Sequence, residues 1–285
     1  MTCPNRDGTL GTRGCIFCSR GGSGDFAESH TLSVTEQIES GKKQSAKKYT
    51  GSSYIAYFQA YTNTYASLAY LEKLYMEAIL HPDIRILSIA TRPDCLSTEI
   101  LDLLERLNQI KPVWVELGLQ TIHERTARYI RRGYDLPVFE TAVSELRRRG
   151  IDVIVHTILC LPGETKPDML QTIQYLNRQD IQGIKLQLLH ILKDTDLAEI
   201  YASDPFPVPD PQEYYELLGA CISHLRPDIV IHRLTGDGPK ELLTAPLWTC
   251  NKRQVLNQLQ SYFKHMTSGR ERSCKLWQKH LNFIN

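Results

Sequence analysis

The chain has 285 residues, 42% of them hydrophobic and 23% charged, the make-up of a globular protein with a sizeable core. No apolar run approaches the roughly 20 residues of a membrane span. The start MTCPNRDG carries no secretory pattern, and a cytoplasmic setting is expected. Eight cysteines are too sparse for a disulfide scaffold, which leaves metal-bound or free thiols in a reducing compartment. The net charge of +1 is uneven: residues 252–285 hold Lys252, Arg253, Lys264, Arg270, Arg272, Lys275 and Lys279 against one acid, Glu271. A basic tail on a mildly acidic body suits an anionic partner, RNA among them, or a solvated helix face.

Along the chain, strand-like and helix-like segments alternate. YIAYFQAY (54–61) is β-branched and aromatic and reads as a strand. Residues 65–80 carry apolar side chains at helical spacing and stop before Pro82. IRILSIAT (84–91) is a buried strand. A helix over 97–109 follows, capped by Ser97 or Thr98 with Glu99 in its first turn. VWVELGLQ (113–120) is the next strand, and 139–150 a helix closed by Gly150. IDVIVHTILCL (151–161) is a strand ended by Pro162-Gly163. Then come a helix over 168–179, a strand over 184–192, a helix over 211–225 and a strand over 228–236. Residues 19–30 and the Pro-rich 204–211 are loops.

Six strands with helices between most of them require a parallel sheet, because each return of the chain needs a crossover. No G-x-G-x-x-G follows an early strand, which removes support from a dinucleotide-binding doubly wound sheet. Polar signatures gather at strand ends: Gln59 and Asn63, Thr91-Arg92-Pro93-Asp94, Glu116 and Gln120, Pro162-Gly163-Glu164, and Gly236-Asp237-Gly238. A (β/α) barrel or partial barrel puts such ends on one face, and that architecture is expected. The last of these signatures reads as an anion nest or a tight turn.

Cys3, Cys15 and Cys18 lie on one Gly-rich loop, CPNRDGTLGTRGCIFC. Structural zinc wants four ligands, usually in two pairs, and the second pair is missing; His30 is a fourth ligand without finger spacing. A thioredoxin-type C-x-x-C opens a helix after a strand, whereas here glycines flank it on both sides. An iron–sulfur cluster is the third reading, with one coordination position left open. Cys95, Cys160, Cys221, Cys250 and Cys274 read as structural thiols, and His190 and His232 as hydrogen-bonded strand residues.

The C-x11-C-x2-C spacing, taken with CPNRDG, YFQAYTNTY (57–65), ATRPDCL (90–96), WVELGLQT (114–121), RRGYD (131–135), LCLPGET (159–165) and RLTGDGP (233–239), resembles the radical S-adenosylmethionine (SAM) superfamily. Within it, the chain looks like the YhcC-like family, related to the radical SAM half of the Elongator catalytic subunit. The resemblance covers most of residues 1–248. It implies a partial (β/α)6 TIM-like barrel over 1–248, with 249–285 as a basic helical extension. It also implies a [4Fe–4S] cluster on Cys3, Cys15 and Cys18, a SAM molecule on the open iron, and an electron donor that reduces the cluster. Cleavage of SAM then yields a 5′-deoxyadenosyl radical that takes hydrogen from substrate.

For the SAM contacts, the family's Gly-Gly-Glu turn reads here as Gln59-Ala60-Tyr61-Thr62-Asn63, so Gln59, Asn63 or backbone carbonyls replace it. Glu116 and Gln120 are candidates for the ribose hydroxyls. Arg131 or Arg132 is a candidate for the SAM carboxylate, with helix-surface charge as the alternative. A family barrel leads a strand into the cysteine loop. With the first cysteine at residue 3, the expected barrel lacks that first strand.

Overall fold

Alternate aliphatic side chains decide where the strands form. In IRILSIAT, Leu87 and Ile89 are both fully buried, and in DVIVHTIL so are Val153 and Val155. β-branched and leucine side chains at every second position cover one face of a pleated strand against helices. The computed structural model describes residues 1–46, 49–236 and 238–268. In chain order it contains α1 (Val34–Ser45), β1 (Tyr54–Phe58), α2 (Leu68–Leu80), β2 (Ile84–Thr91), α3 (Thr98–Asn108), β3 (Val113–Gln120), α4 (Glu124–Tyr129) and α5 (Leu136–Arg148). It continues with β4 (Asp152–Leu159), α6 (Lys166–Leu176), β5 (Gly183–Leu188), β6 (Ile191–Leu192), α7 (Asp196–Ser203), α8 (Pro211–His224), β7 (Val230–Arg233), β8 (Leu243–Ala245) and α9 (Lys252–Ser268).

The main sheet runs β1-β2-β3-β4-β5-β7. Its pairings β1–β2, β2–β3 and β5–β7 are parallel. Strand order follows chain order with no reversal, so the sheet has no topological switch point and is not doubly wound. The six strands expected from the sequence are these six, and the sheet begins at β1, after the cysteine loop.

The run 184–192 departs from expectation. It breaks after Leu188, and Ile191–Leu192 pairs antiparallel with β8 as a two-stranded ribbon. Leu189 and Ile191 turn into an apolar cluster with Leu197 and Ala245. A continuous apolar run does not mark the residue at which a strand changes partner. Three helices were absent from the sequence reading: α1, α4 and α7. Helix α1 buries little beyond Val34; a capping box between Ser33 and Glu36 specifies it instead.

The chain packs as two compact units. One comprises Met1–Gly14, Gly21–Gly118 and Tyr134–Ile154; the other comprises Cys15–Arg20, Leu119–Gly133 and the described chain from Val155 onward. In the second unit α9 buries Val255, Leu259 and Phe263, and the Tyr215 hydroxyl lies 3.0 Å from Gln258 Oε1, to which it donates. The part of 249–285 up to α9 is therefore packed on an apolar stripe. Arg270, Arg272, Lys275 and Lys279 lie outside the described residues. Among the described residues no helix is long and apolar enough to cross a membrane.

Candidate metal and cofactor site

The cysteine loop is organised by its own backbone. The Cys3 carbonyl accepts from the Arg6 N–H at 2.8 Å and the Asp7 N–H at 3.2 Å, and the Asn5 carbonyl accepts from Gly14 N–H at 2.7 Å. The loop's ends are tied to the segment after β1: Thr62 N–H donates to the Thr2 carbonyl at 3.2 Å, and Tyr61 N–H to the Gly22 carbonyl at 3.0 Å. Gly22 has φ +61, and a Cβ there would lie 2.3 Å from the Tyr61 ring. Only glycine allows both that backbone and that approach.

In the second unit, Cys15 and Cys18 form a tight turn, with Cys18 N–H donating to the Cys15 carbonyl at 3.0 Å. Ile16 pins it. Its N–H donates to Ile130 at 3.3 Å, its carbonyl accepts from Leu197 N–H at 2.9 Å, and its side chain is buried with both. The Cys15 thiol points at the Arg131 carbonyl, 3.4 Å away. None of the described cysteines is in a disulfide.

The loop after β2 is stiffened by Arg92, whose guanidinium forks onto Asp94 at 2.9 and 2.7 Å and lies over the Tyr134 ring at 5.2 Å. Burial pushes the neighbouring Cys95 thiol up to about 12, with the Asp94 charge adding to it. A thiol held protonated in this way is a poor nucleophile and a poor metal ligand, which fits its structural reading.

The ends of β3 and β4 in the second unit are joined by a half-buried carboxylate. The Thr121 hydroxyl donates to Glu164 at 2.5 Å and accepts from the His123 N–H at 3.0 Å. Burial raises the Glu164 pKa, while hydrogen bonds from Thr121 and Thr126 oppose the rise. A cavity of about 250 Å³ opens beside them, lined by His123, Arg125, Thr126, Gly163, Glu164 and Asp168.

The residues expected from the sequence fall into distinct environments. Gln59 is half-buried and makes no hydrogen bond to a described residue. Asn63 is buried, and its amide nitrogen donates to the Ala90 carbonyl at 3.0 Å. Glu116, in an apolar strand, accepts from the Ser88 hydroxyl at 2.8 Å. Gln120 has φ +68, and its Oε1 is buried with no partner among the described residues. Arg131, φ +57, pairs with Asp196. Arg132, with a side chain 2% exposed, donates to the Thr121 carbonyl at 2.7 Å. The donor chemistry fits a thiolate-held cluster and a polar ligand: three cysteines outside any disulfide, and a buried oxygen on Gln120 that awaits a donor. Sequence reasoning missed the Thr121–Glu164 tie, the Arg131–Asp196 pair and the pinning of Ile16. The threonine and glutamate lie within two quoted motifs, but their meeting is a tertiary fact.

A parallel sheet wound in chain order, with polar strand ends and a three-cysteine loop, defines a radical SAM barrel. The model of the Radical SAM superfamily matches residues 8–176, and that of the Radical_SAM C-terminal domain residues 181–265. The chain belongs to the radical SAM superfamily, whose members bind a [4Fe–4S] cluster and SAM and carry out radical chemistry.

It is 42% identical to protein YtqA of Bacillus subtilis over 257 residues, covering 90% of this chain and 80% of the relative. It is 37% identical to protein YhcC of Escherichia coli over 273 residues, covering 94% and 86%. The archaeal Elp3 of Methanocaldococcus infernus, solved with an N-terminal deletion, shares the fold at TM-score 0.69 and 16% identity, covering 84% of this chain and 60% of that one. The expected partial TIM-like barrel is thus the observed fold class.

Proposed function

We propose that the chain is a radical SAM enzyme that holds a [4Fe–4S] cluster on Cys3, Cys15 and Cys18. The observation that carries this reading is the C-x11-C-x2-C loop in a chain of this family. With both cofactors bound, electron transfer to SAM supplies a 5′-deoxyadenosyl radical that takes hydrogen from substrate. The protein's part is to bind, orient and exclude water.

In this reading Gln120 accepts from a ribose hydroxyl, which would satisfy its otherwise unpartnered Oε1. Gln59, with no hydrogen bond to a described residue, supplies a contact to the SAM amino group, Asn63 presents its side-chain oxygen, and Glu116 is a second candidate for the ribose hydroxyls. Of the two arginines, Arg131 suits the SAM carboxylate better. Its side chain is 34% exposed, whereas that of Arg132 is 2% exposed and is spent on backbone carbonyls. An external electron donor completes the chemistry. RNA as substrate has only charge in its favour, from Lys252, Arg253 and Lys264 among the described residues.

Anaerobic reconstitution of the wild-type chain is expected to bind about four irons and, with a strong reductant, to release 5′-deoxyadenosine from SAM. Cys15→Ala and Cys18→Ala are each expected to lose both properties. Zinc in place of iron, or retention of both properties in the two variants, would refute the proposal.

A further inference from the structure

The Cys15–Cys18 turn has little stiffness of its own. It is closed by the bond from Cys18 N–H to the Cys15 carbonyl, and Gly14 and Gly21 stand before and after it in the chain. Glycine flanks leave the direction of a turn open. Whatever aims the two thiols therefore comes from outside the turn.

Within the second unit, helix α7 reaches it. Thr195 is the N-cap of that helix: its hydroxyl accepts from Ala198 N–H at 3.2 Å and donates to the Leu192 carbonyl of β6 at 2.6 Å. The cap ties the first turn of α7 to the β6–β8 ribbon. The amide of Leu197, second residue of the helix, is one of the N-terminal donors that a helix cannot satisfy internally. It donates to the Ile16 carbonyl at 2.9 Å. Asp196, beside it, pairs with Arg131, whose carbonyl faces the Cys15 thiol at 3.4 Å. The Ile16 and Leu197 side chains, 2% and 0% exposed, meet in one apolar cluster with Ile191 of β6 and Ala245 of β8. The hold is mutual: the turn completes the helix end, and the helix end fixes the turn.

We propose that Ile16 and Thr195, the second acting through the capped first turn of α7, are positioning residues for the cluster ligands Cys15 and Cys18, and that they set how tightly the chain retains iron. This rests on the radical SAM reading and goes beyond it. It gives α7 and the β6–β8 ribbon a part in the metal site although neither carries a thiol. Contacts that orient metal ligands from behind typically change metal affinity by roughly 10–100-fold.

The test follows iron release from the anaerobically reconstituted full chain to the ferrous chelator bathophenanthroline disulfonate. Ile16→Ala is expected to release iron about tenfold faster than the wild type. Ile16→Val is expected to fall between the two, and it decides the matter if Ile16→Ala does not fold. Thr195→Val, which removes the cap at a distance from the thiols, is expected to release iron about fivefold faster, the usual weight of one N-cap. Thr195→Ser keeps the hydroxyl and is expected to return to the wild-type rate. Leu189→Ala is the control: Leu189 belongs to the same apolar cluster, and its amide bonds to the Leu159 carbonyl instead of the turn. It is expected to lower the unfolding midpoint and leave iron release unchanged.

A wild-type rate in the Ile16 variants or in Thr195→Val, no recovery in Thr195→Ser, or an equal acceleration in Leu189→Ala overturns the proposal. The iron content of the wild type is read first. A wild type without iron sinks the radical SAM reading and this proposal with it. A wild type with about four irons per chain, and variants that release them no faster, sinks this proposal alone.

Discussion

At Leu87 and Ile89 of β2, or Val153 and Val155 of β4, the chain adopts the conformation its side chains prefer, and their burial rewards it. A few residues on, it does not. Tyr61 after β1, Gln120 at the end of β3 and Cys160 after β4 all have left-handed backbones, with φ of 59°, 68° and 64°, and none is glycine. Such a backbone costs a side-chain-bearing residue of the order of 1–2 kcal/mol. Stability is therefore gathered in the strand bodies and partly given back at the strand ends. That asymmetry suits a molecule whose sheet is a scaffold and whose chemistry sits on the loops.

The sharpest way to break the comparison is to empty a strand body. Leu87→Ala removes a fully buried side chain from the middle of β2. It is expected to lower unfolding free energy by about 2–5 kcal/mol, transfer loss and residual cavity together. Chemical denaturation of the cofactor-free chain measures this. A loss below about 1 kcal/mol would mean that β2 is not part of the cooperative core.

Glu164 tests a strand-end tie of intermediate weight. Glu164→Ala leaves the Thr121 hydroxyl without its acceptor and is expected to cost about 1–3 kcal/mol. Glu164→Gln keeps an oxygen acceptor and removes the charge. Because burial holds the folded carboxyl above its ordinary 4.5, the folded state keeps its proton to higher pH than the unfolded state. The stability from this group is full below pH 4.5 and is lost as pH rises through the raised folded value. Glu164→Gln should therefore match or exceed wild-type stability at neutral pH and flatten the dependence between those two values. A Gln variant as damaged as the Ala variant would show that the charge itself, rather than the acceptor, holds the two strand ends.

How much of this was legible in the sequence follows the same division. The strand bodies were readable because alternation and burial coincide: every strand of the main sheet overlaps a segment read as a strand, with β5 starting one residue earlier, at Gly183. The small ribbon of β6 and β8 was not, since Leu188, Leu189, Ile191 and Leu192 are equally apolar and only the tertiary partner separates them. Helix α1 was missed because its signal is a capping box, with Val34 and Ile38 as its only strongly apolar residues. At the candidate site, the cysteines and Gln120 stand out in the sequence as motif positions. Which polar side chains have a hydrogen-bonding atom to spare is not legible there, because that depends on hydrogen bonds between distant residues. Asn63 is taken by Ala90 and Arg132 by Thr121, while Gln120 keeps an acceptor unused.

The smallest expected effect is the one that separates the two regions most cleanly. In Gln120→Gly the left-handed backbone loses its steric cost and the buried unpartnered oxygen disappears, both of which favour the folded state. Against this stands the greater backbone entropy of glycine in the unfolded chain. The balance is expected to be a gain of up to about 1 kcal/mol in the cofactor-free protein, read by denaturant midpoint at constant slope. The same variant removes the oxygen assigned to a ribose hydroxyl, so SAM affinity of the cluster-loaded protein, read by equilibrium dialysis, is expected to fall about tenfold. A strand-body substitution moves stability downward and leaves no such opposite pair of signs. If Gln120→Gly loses stability, the side chain is a structural element of β3 like Leu119 beside it, and the unfilled oxygen is no sign of a ligand.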